Sequence, residues 1–247
     1  MIMMRKDIII IMNKESCEFP LLALLRQQVW LSPAFPTGAY SYSHGLEWAI
    51  EVGHIHSRET LVDWLAADLC YGSGRNEAIF FHQSWQLASE EDRVRLLHVA
   101  KLAAVFRSTS EFALESVQQA TAYLATLRRI RCDHFLDWLS DKLLKLNLPP
   151  TLAVVLGIRA ATEGIPVRLA LPAFLQSFIA NLVNAGVRLL PLGQTDGQLA
   201  LAELEEAVLT TSGEAARATL DDLGSAAFMV DLSSMAHETQ YTRLFRS

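Results

Sequence analysis

The chain has 247 residues, with 21 Lys and Arg against 27 Asp and Glu, a net charge of −6. This mildly acidic balance gives no global attraction to nucleic acid or to an anionic membrane surface. Apolar residues make up 51% and charged residues 19%, which excludes a disordered chain, and 39 Leu with 31 Ala against 12 Gly and 8 Pro point to an all-α protein.

Residues 1–18 read as a flexible N-terminal extension. Their apolar run, Ile8 to Met12, is too short for a secretory segment, and Asp7 interrupts the approach to it. A helical domain is expected over residues 19–234, and a partner-binding tail over residues 235–247. The first helix spans Phe19 to Leu31. Ser32 to Gly38 breaks it, because Pro33 and Pro36 disfavour helix and Gly38 admits positive φ. Helix resumes from Tyr40 to Glu51, and Gly53 stops it. Ser57 caps the next helix, whose inner face is Leu61, Trp64, Leu65 and Leu69 and which Gly72 and Gly74 end. Ser89 followed by Glu90, Glu91 and Asp92 reads as a helix N-terminus. Ser108 to Glu111 fits a capping box before a long helix to about Arg131.

Asp133 to Leu146 is amphipathic, Pro149 and Pro150 break it, and Thr151 to Glu163 follows. Leu169 to Val187 carries no charge and could span a bilayer by length, with Pro172 near its first turn. Ser177, Asn181, Asn184 and Arg188, however, share one face, a polar stripe that suits a helix buried in protein and hydrogen-bonded along that face or placed at an interface. Leu199 to Leu209 and Ala215 to Leu223 are the last well-marked helices, about ten in all. No linker rich in Gly, Ser or Pro divides the chain and no solenoid repeat appears, so one compact domain is expected.

The familiar catalytic signatures are missing: there is no Gly-Lys dipeptide of a P-loop, no GxGxxG and no HExxH. Cys17, Cys70 and Cys132 have no metal spacing and read as reduced thiols, the last two as small buried side chains. Ser43-His44-Gly45 resembles part of a nucleophile elbow, but Ser41 stands where the full motif needs glycine. His54 and His56 form an H-x-H that can chelate a metal, against the blander reading of two solvated loop histidines. Tyr40 and Tyr42 pair an apolar ring with a polar tip, as interfaces favour, and ordinary half-buried packing fits them equally. The terminal Arg243-Leu244-Phe245-Arg246-Ser247 is either a frayed end or an anchor peptide with aromatic and Arg hot spots.

Three blocks together resemble the urease accessory protein UreF family. They are Leu31-Ser-Pro-Ala-Phe-Pro-Thr-Gly-Ala-Tyr-Ser-Tyr-Ser-His-Gly-Leu-Glu47, then Val187-Arg-Leu-Leu-Pro-Leu-Gly-Gln194 with Asp196-Gly197-Gln198, then Met235 to Ser247. The resemblance implies an all-α, dimeric, cytoplasmic protein with no catalytic, cofactor-binding or metal-binding residues. It implies a non-enzymatic accessory role, joining UreD (also called UreH) and the GTPase UreG into a complex that delivers nickel, as cargo, to apo-urease, and regulating the use of GTP by UreG. By resemblance, His237, Glu238, Arg243, Leu244, Phe245, Arg246 and Ser247 meet UreD. Tyr40, Ser41, Tyr42, Gly45, Glu47 and Arg188 lie near the dimer surface that receives UreG. The chain departs from the family's usual pattern at Ala113 and Ala236, where the family has Arg, and at Gln119-Ala120, where it has Met-Gly. Two other readings stand beside this one: a direct nickel carrier using His54, His56 and His237, and an unrelated helical adaptor or a hydrolase using Ser43.

Overall fold

The structure, a computed structural model, describes residues 21–247. The expected extension over residues 1–18, the helix start at Phe19 and Cys17 lie outside the described residues. Among the described residues the chain forms twelve α-helices and no strand. In order these are α1 Leu21–Trp30, α2 Leu46–Glu51, α3 Arg58–Tyr71, α4 Ser73–Ser89, α5 Arg93–Val105, α6 Ser110–Ile130, α7 His134–Lys145, α8 Leu152–Thr162, α9 Val167–Leu189, α10 Gln194–Glu203, α11 Glu205–Ala215 and α12 Phe228–His237. Two 3₁₀ turns, Ala39–Ser41 and Leu220–Asp222, complete the list.

The centre follows from which helices are apolar on every side. α8 buries every residue from Ala153 to Ala160, so it can only lie inside. Its most extensive partner is α4, which buries Ala78, Ile79, Phe80 and Phe81. α9 packs on both and carries α10 and α11 on its other flank. α5 and α7 lie outside α8, and α6 crosses between α8 and α12. The close seat of α8 on α4 depends on Gly157, where an added Cβ would stand 2.5 Å from the carbonyl oxygen of Phe81.

Polar side chains fix the helix ends. Ser57 caps α3 and accepts from the Thr60 N–H at 3.3 Å; Thr109 caps α6 and accepts from Phe112 at 3.1 Å. Asp133 caps α7 and also accepts from the buried guanidinium of Arg159 at 2.9 Å. Arg159 bonds Glu163 as well and lies 5.1 Å above the Trp30 ring, while Glu163 receives Arg26 at 2.5 Å. One ionic cluster thus ties α1, α7 and α8.

The first half of the polar stripe of α9 is consumed inside the protein, while Asn184 and Arg188 are exposed. Ser177 donates to the Leu31 carbonyl at 2.9 Å and Asn181 to the Ala39 carbonyl at 3.0 Å, so this face clamps the two-proline loop. α9 is the one described helix long and apolar enough to cross a membrane, and half of its most apolar window is buried against the other helices.

Several expected boundaries move. Helix does not resume at Tyr40: His44 and Gly45 adopt left-handed φ values of 58° and 78°, and α2 starts only at Leu46. Ser89 ends α4, and Asp92 caps the next helix by accepting the Arg95 N–H at 2.9 Å. Gly74 lies within α4. Pro172 is inside α9 rather than at its first turn, because the helix starts two residues before the charge-free stretch. Leu199 to Leu209 is split between α10 and α11 around buried Leu204, and Ala215 to Leu223 keeps only a 3₁₀ turn. α4 and α12 are helices to which the sequence reading assigns no element. Cys70 is half-buried and Cys132 exposed rather than both buried, the latter donating to Asp137 at 3.4 Å.

Gly157→Ala gains about 1 kcal/mol of helix propensity but drives a methyl group against a helix carbonyl. Overpacking of this kind costs about 1–3 kcal/mol, toward the upper end where backbone must move. A lowered urea midpoint at unchanged m is expected; a raised midpoint would show that α4 recedes freely from α8.

Candidate functional site

The inner face of α6 carries Phe112, Ala120, Tyr123 and Leu127, and the same face presents two carboxylates one turn apart, Glu111 and Glu115. Both are buried. A buried carboxylate without a partner is costly, so each requires a cation or donors. Each receives a histidine from a different part of the chain.

Glu115 Oε2 lies 2.9 Å from His44 Nδ1, and Gln119 donates to Glu115 Oε1 at 3.1 Å. The His44 ring stacks on Phe112 at 3.8 Å between centroids and meets Phe178 edge-on. Its Nε2 is 2.6 Å from Ser73 Oγ, and Ser73 in turn donates to Asp68 at 2.9 Å. Burial alone would lower the pKa of His44, but Glu115, helped by Asp68, outweighs it and holds the imidazole above its ordinary value. Burial pushes Asp68 up. The spacing of Ser73, His44 and Glu115 matches that of a hydrolytic triad. The protons run the other way. A triad needs a neutral imidazole to take the serine proton, whereas here the imidazolium is favoured and the Ser73 hydroxyl is directed at Asp68.

Glu111 holds the second histidine. Both its oxygens lie 2.9 Å from His237 Nδ1, and His237 Nε2 reaches Glu47 Oε2 at 3.2 Å. With a carboxylate at each nitrogen, both nitrogens donate. Burial would lower this imidazole too, but the hydrogen bonds to Glu111 and Glu47 outweigh it and raise its pKa above 6.5. Glu47 then accepts the backbone N–H of Leu244 at 2.6 Å and of Phe245 at 2.9 Å. Arg243 reaches Glu111 at 3.4 Å. The rest of the tail lies along Ser41 to Ser43: the Arg246 N–H donates to the Ser41 carbonyl at 2.8 Å, and Ser43 donates its N–H and its hydroxyl to the Ser247 carbonyl. Phe245 is 4% exposed and lies under the Arg188 guanidinium, 4.4 Å from the ring centroid. Gly45 makes the crossing of this segment over α12 possible, since a Cβ there would stand 2.8 Å from the Ser234 nitrogen.

Residues from all three sequence blocks, separated by up to about two hundred positions, therefore meet at one place, the second block contributing Arg188. Of the residues assigned to the tail surface, His237, Phe245 and Ser247 face inward; Glu238, Arg243, Leu244 and Arg246 are exposed, Leu244 at 68%. Of the other group, Tyr42, Gly45 and Glu47 are buried, Ser41 is half-buried, and Tyr40 (69%) and Arg188 are exposed. Tyr42 donates to Gln118 at 2.5 Å. α12 exposes Phe228, Leu232 and Met235. Ser43, the hydrolase candidate, is fully buried with its hydroxyl committed to Ser247. His54 and His56 are exposed while His237 is buried. Among the described residues no group of three His, Cys, Asp or Glu side chains is placed to hold a metal ion.

Sequence reasoning missed Glu111 as a partner rather than a capping residue, and missed Glu115, Asp68, Ser73 and Gln118 altogether. A signal was present: positions 111, 115 and 119 fall on the apolar face of a long amphipathic helix, where a charge demands explanation. Of the departures, Gln119 bonds Glu115, Ala120 lies in the core, and Ala113 and Ala236 are half-buried on α6 and α12.

Comparison with known proteins gives consistent matches. The UreF family profile matches residues 55–205. The urease accessory protein UreF of Rhodopseudomonas palustris (strain BisB5) is 44% identical over 233 residues, covering 91% of each chain. Those of Bradyrhizobium diazoefficiens and Granulibacter bethesdensis are each 44% identical over 225 residues, covering 91% of this chain and 92% and 94% of theirs.

The raised His237 gives the tail a pH dependence. Its contribution is complete below about 6.5, the ordinary imidazole value, and is lost as the pH climbs through the raised folded value. At pH 6 the Leu244 and Phe245 amides should exchange more slowly in the native chain than in His237→Gln, and the gap should narrow as the pH climbs through the raised folded value. Equal exchange in the two chains at pH 6 would contradict the imidazolium.

Proposed function

The chain belongs to the UreF family of urease accessory proteins, and from that membership we infer that it serves urease maturation by bridging UreD (UreH) and the GTPase UreG. In this reading the chain performs no catalysis. It acts in the cytoplasm as a homodimer, holds its partners in register while nickel passes to apo-urease, and governs when UreG spends its GTP. The observation that carries the reading is the convergence of the three blocks. An adaptor needs a preformed surface with rigid anchors, and here Leu244 and Arg246 project outward from a segment whose alternate residues are locked inward, and Tyr40 projects from the 3₁₀ turn at Ala39–Ser41. We assign the exposed tail residues and the exposed face of α12 to UreD, and Tyr40 with its neighbours to the surface that receives UreG. Aromatic and Arg side chains so placed are the usual hot spots of an interface.

The test is nickel-dependent urease activation in a heterologous host carrying urease, UreD and UreG from one source, with and without this chain. Activity is expected only with it; none, beside a positive control from another family member, would overturn the role. Deleting residues 243–247 would also remove Phe245 from the core, so exposed residues make cleaner probes. Leu244→Asp should weaken UreD binding by about tenfold or more, the scale of a hot-spot loss, with an unchanged melting temperature. Tyr40→Ala should reduce co-elution with UreG. Binding equal to the native chain in either variant would remove that residue from the assigned surface.

A further inference from the structure

Beneath the His44 ring, away from the tail, a cavity of about 350 Å³ opens between α4, α6, α9 and the segment before α6. This is the scale of small-molecule sites. Phe106, Phe112, Phe174 and Phe178 supply aromatic wall, and Val105 stands exposed at the rim. Polar side chains line the rest. Arg107 is bonded to Glu77 at 2.8 Å, to Ser116 at 3.1 Å and to the Phe106 carbonyl, which engages both Nη2 protons and one on Nη1. His44 has both nitrogens engaged. No described residue donates to Glu77 Oε2 or to Gln119 Oε1, and Glu115 retains spare acceptor capacity on both oxygens. Three carboxylates, Glu77, Glu115 and Asp231, line the cavity against the two cations Arg107 and His44.

We propose that this cavity binds an organic cation, a protonated amine, amidine or guanidinium on an apolar body. Glu77 Oε2, Gln119 Oε1 and the open lone pairs of Glu115 are acceptors that suit a ligand head made of N–H donors. The excess of carboxylates over cations disfavours an anion. Aromatic faces around a cation add attraction in a water-poor site, and they pack the apolar body. The inference is independent of the bridging role. The cation is supplied either by a free small molecule or by a Lys or Arg side chain of a partner; the head-group chemistry is the same.

The probe is benzamidine, titrated into the full chain by calorimetry, beside neutral benzamide and anionic benzoate. Benzamidine should bind one site with Kd below about 1 mM, benzamide about tenfold more weakly or worse, as expected on losing a charged hydrogen bond, and benzoate not at all. Glu77→Gln should weaken benzamidine by about tenfold and leave benzamide unchanged. Because Glu77→Gln also unpairs Arg107, a second variant guards the test. Val105→Trp, at the exposed rim, should keep the native melting temperature and abolish binding. Equal affinity for benzamide or benzoate, benzamidine binding undiminished in Val105→Trp, or no saturable binding of benzamidine would each overturn the proposal. When the native chain does bind benzamidine, displacement by added UreD or UreG assigns the natural cation to a partner's side chain, and retention assigns it to a free molecule.

Discussion

Glu111 and Glu115 sit one turn apart on the buried face of α6, and neither can remain there as a bare charge. Each is answered by an imidazole brought from elsewhere, His44 from just before α2 and His237 from the last turn of α12. Two contacts on one helix thereby fix where two remote segments lie. Glu47 extends the set: it shares His237 with Glu111 and then spends its acceptor capacity on the tail backbone. The tail is held by amides and a buried phenyl ring, so its course is set by backbone as well as side chains.

Stability and specificity come from different residues. The packing of α4, α8 and α9 supplies the apolar burial that drives folding. The ionic clusters, that of His44 and His237 on one side and that of Arg159 with Asp133 and Glu163 on another, add little net free energy by the usual balance of desolvation against attraction. Their effect is to penalise every arrangement but one, because any slip of a helix leaves a charge unpaired in the interior. Both clusters stand where helix ends must meet loops, the places at which apolar packing alone is least directional.

The tail shows how this partition shapes a surface. From Leu244 to Ser247 the residues alternate exposed, buried, exposed, buried, the period of an extended segment. Phe245 and Ser247 anchor; Leu244 and Arg246 are presented. Tyr40 is presented in the same way from a 3₁₀ turn whose carbonyl is gripped by Asn181 of α9. A rigid display of this kind lowers the ordering cost that a frayed peptide would incur on binding.

The sequence by itself determined the all-helical class, the bounds of α3, α6, α7 and α8 to within about two residues, and the family. These depend on local properties: the period of Leu and Ala, the caps Ser57, Thr109 and Asp133, and contiguous motif blocks. The polar stripe of α9 was legible as a hydrogen-bonding face, though not its partners at Leu31 and Ala39. The tertiary structure alone decided that His44, Ser43 and Glu47 are internal fasteners rather than surface or catalytic groups, that half of the tail faces inward, and that a cavity lies beneath His44. It also decided the left-handed turn at His44 and Gly45, which follows from the passage of α12 rather than from local preference. The physical reason is common to all of these. A charged or hydroxyl side chain takes its role from the group opposite it, and for His44 and His237 that group lies 71 and 126 positions away. Periodicity reports which face is buried, but the identity of the neighbour across that face exists only once the chain has packed.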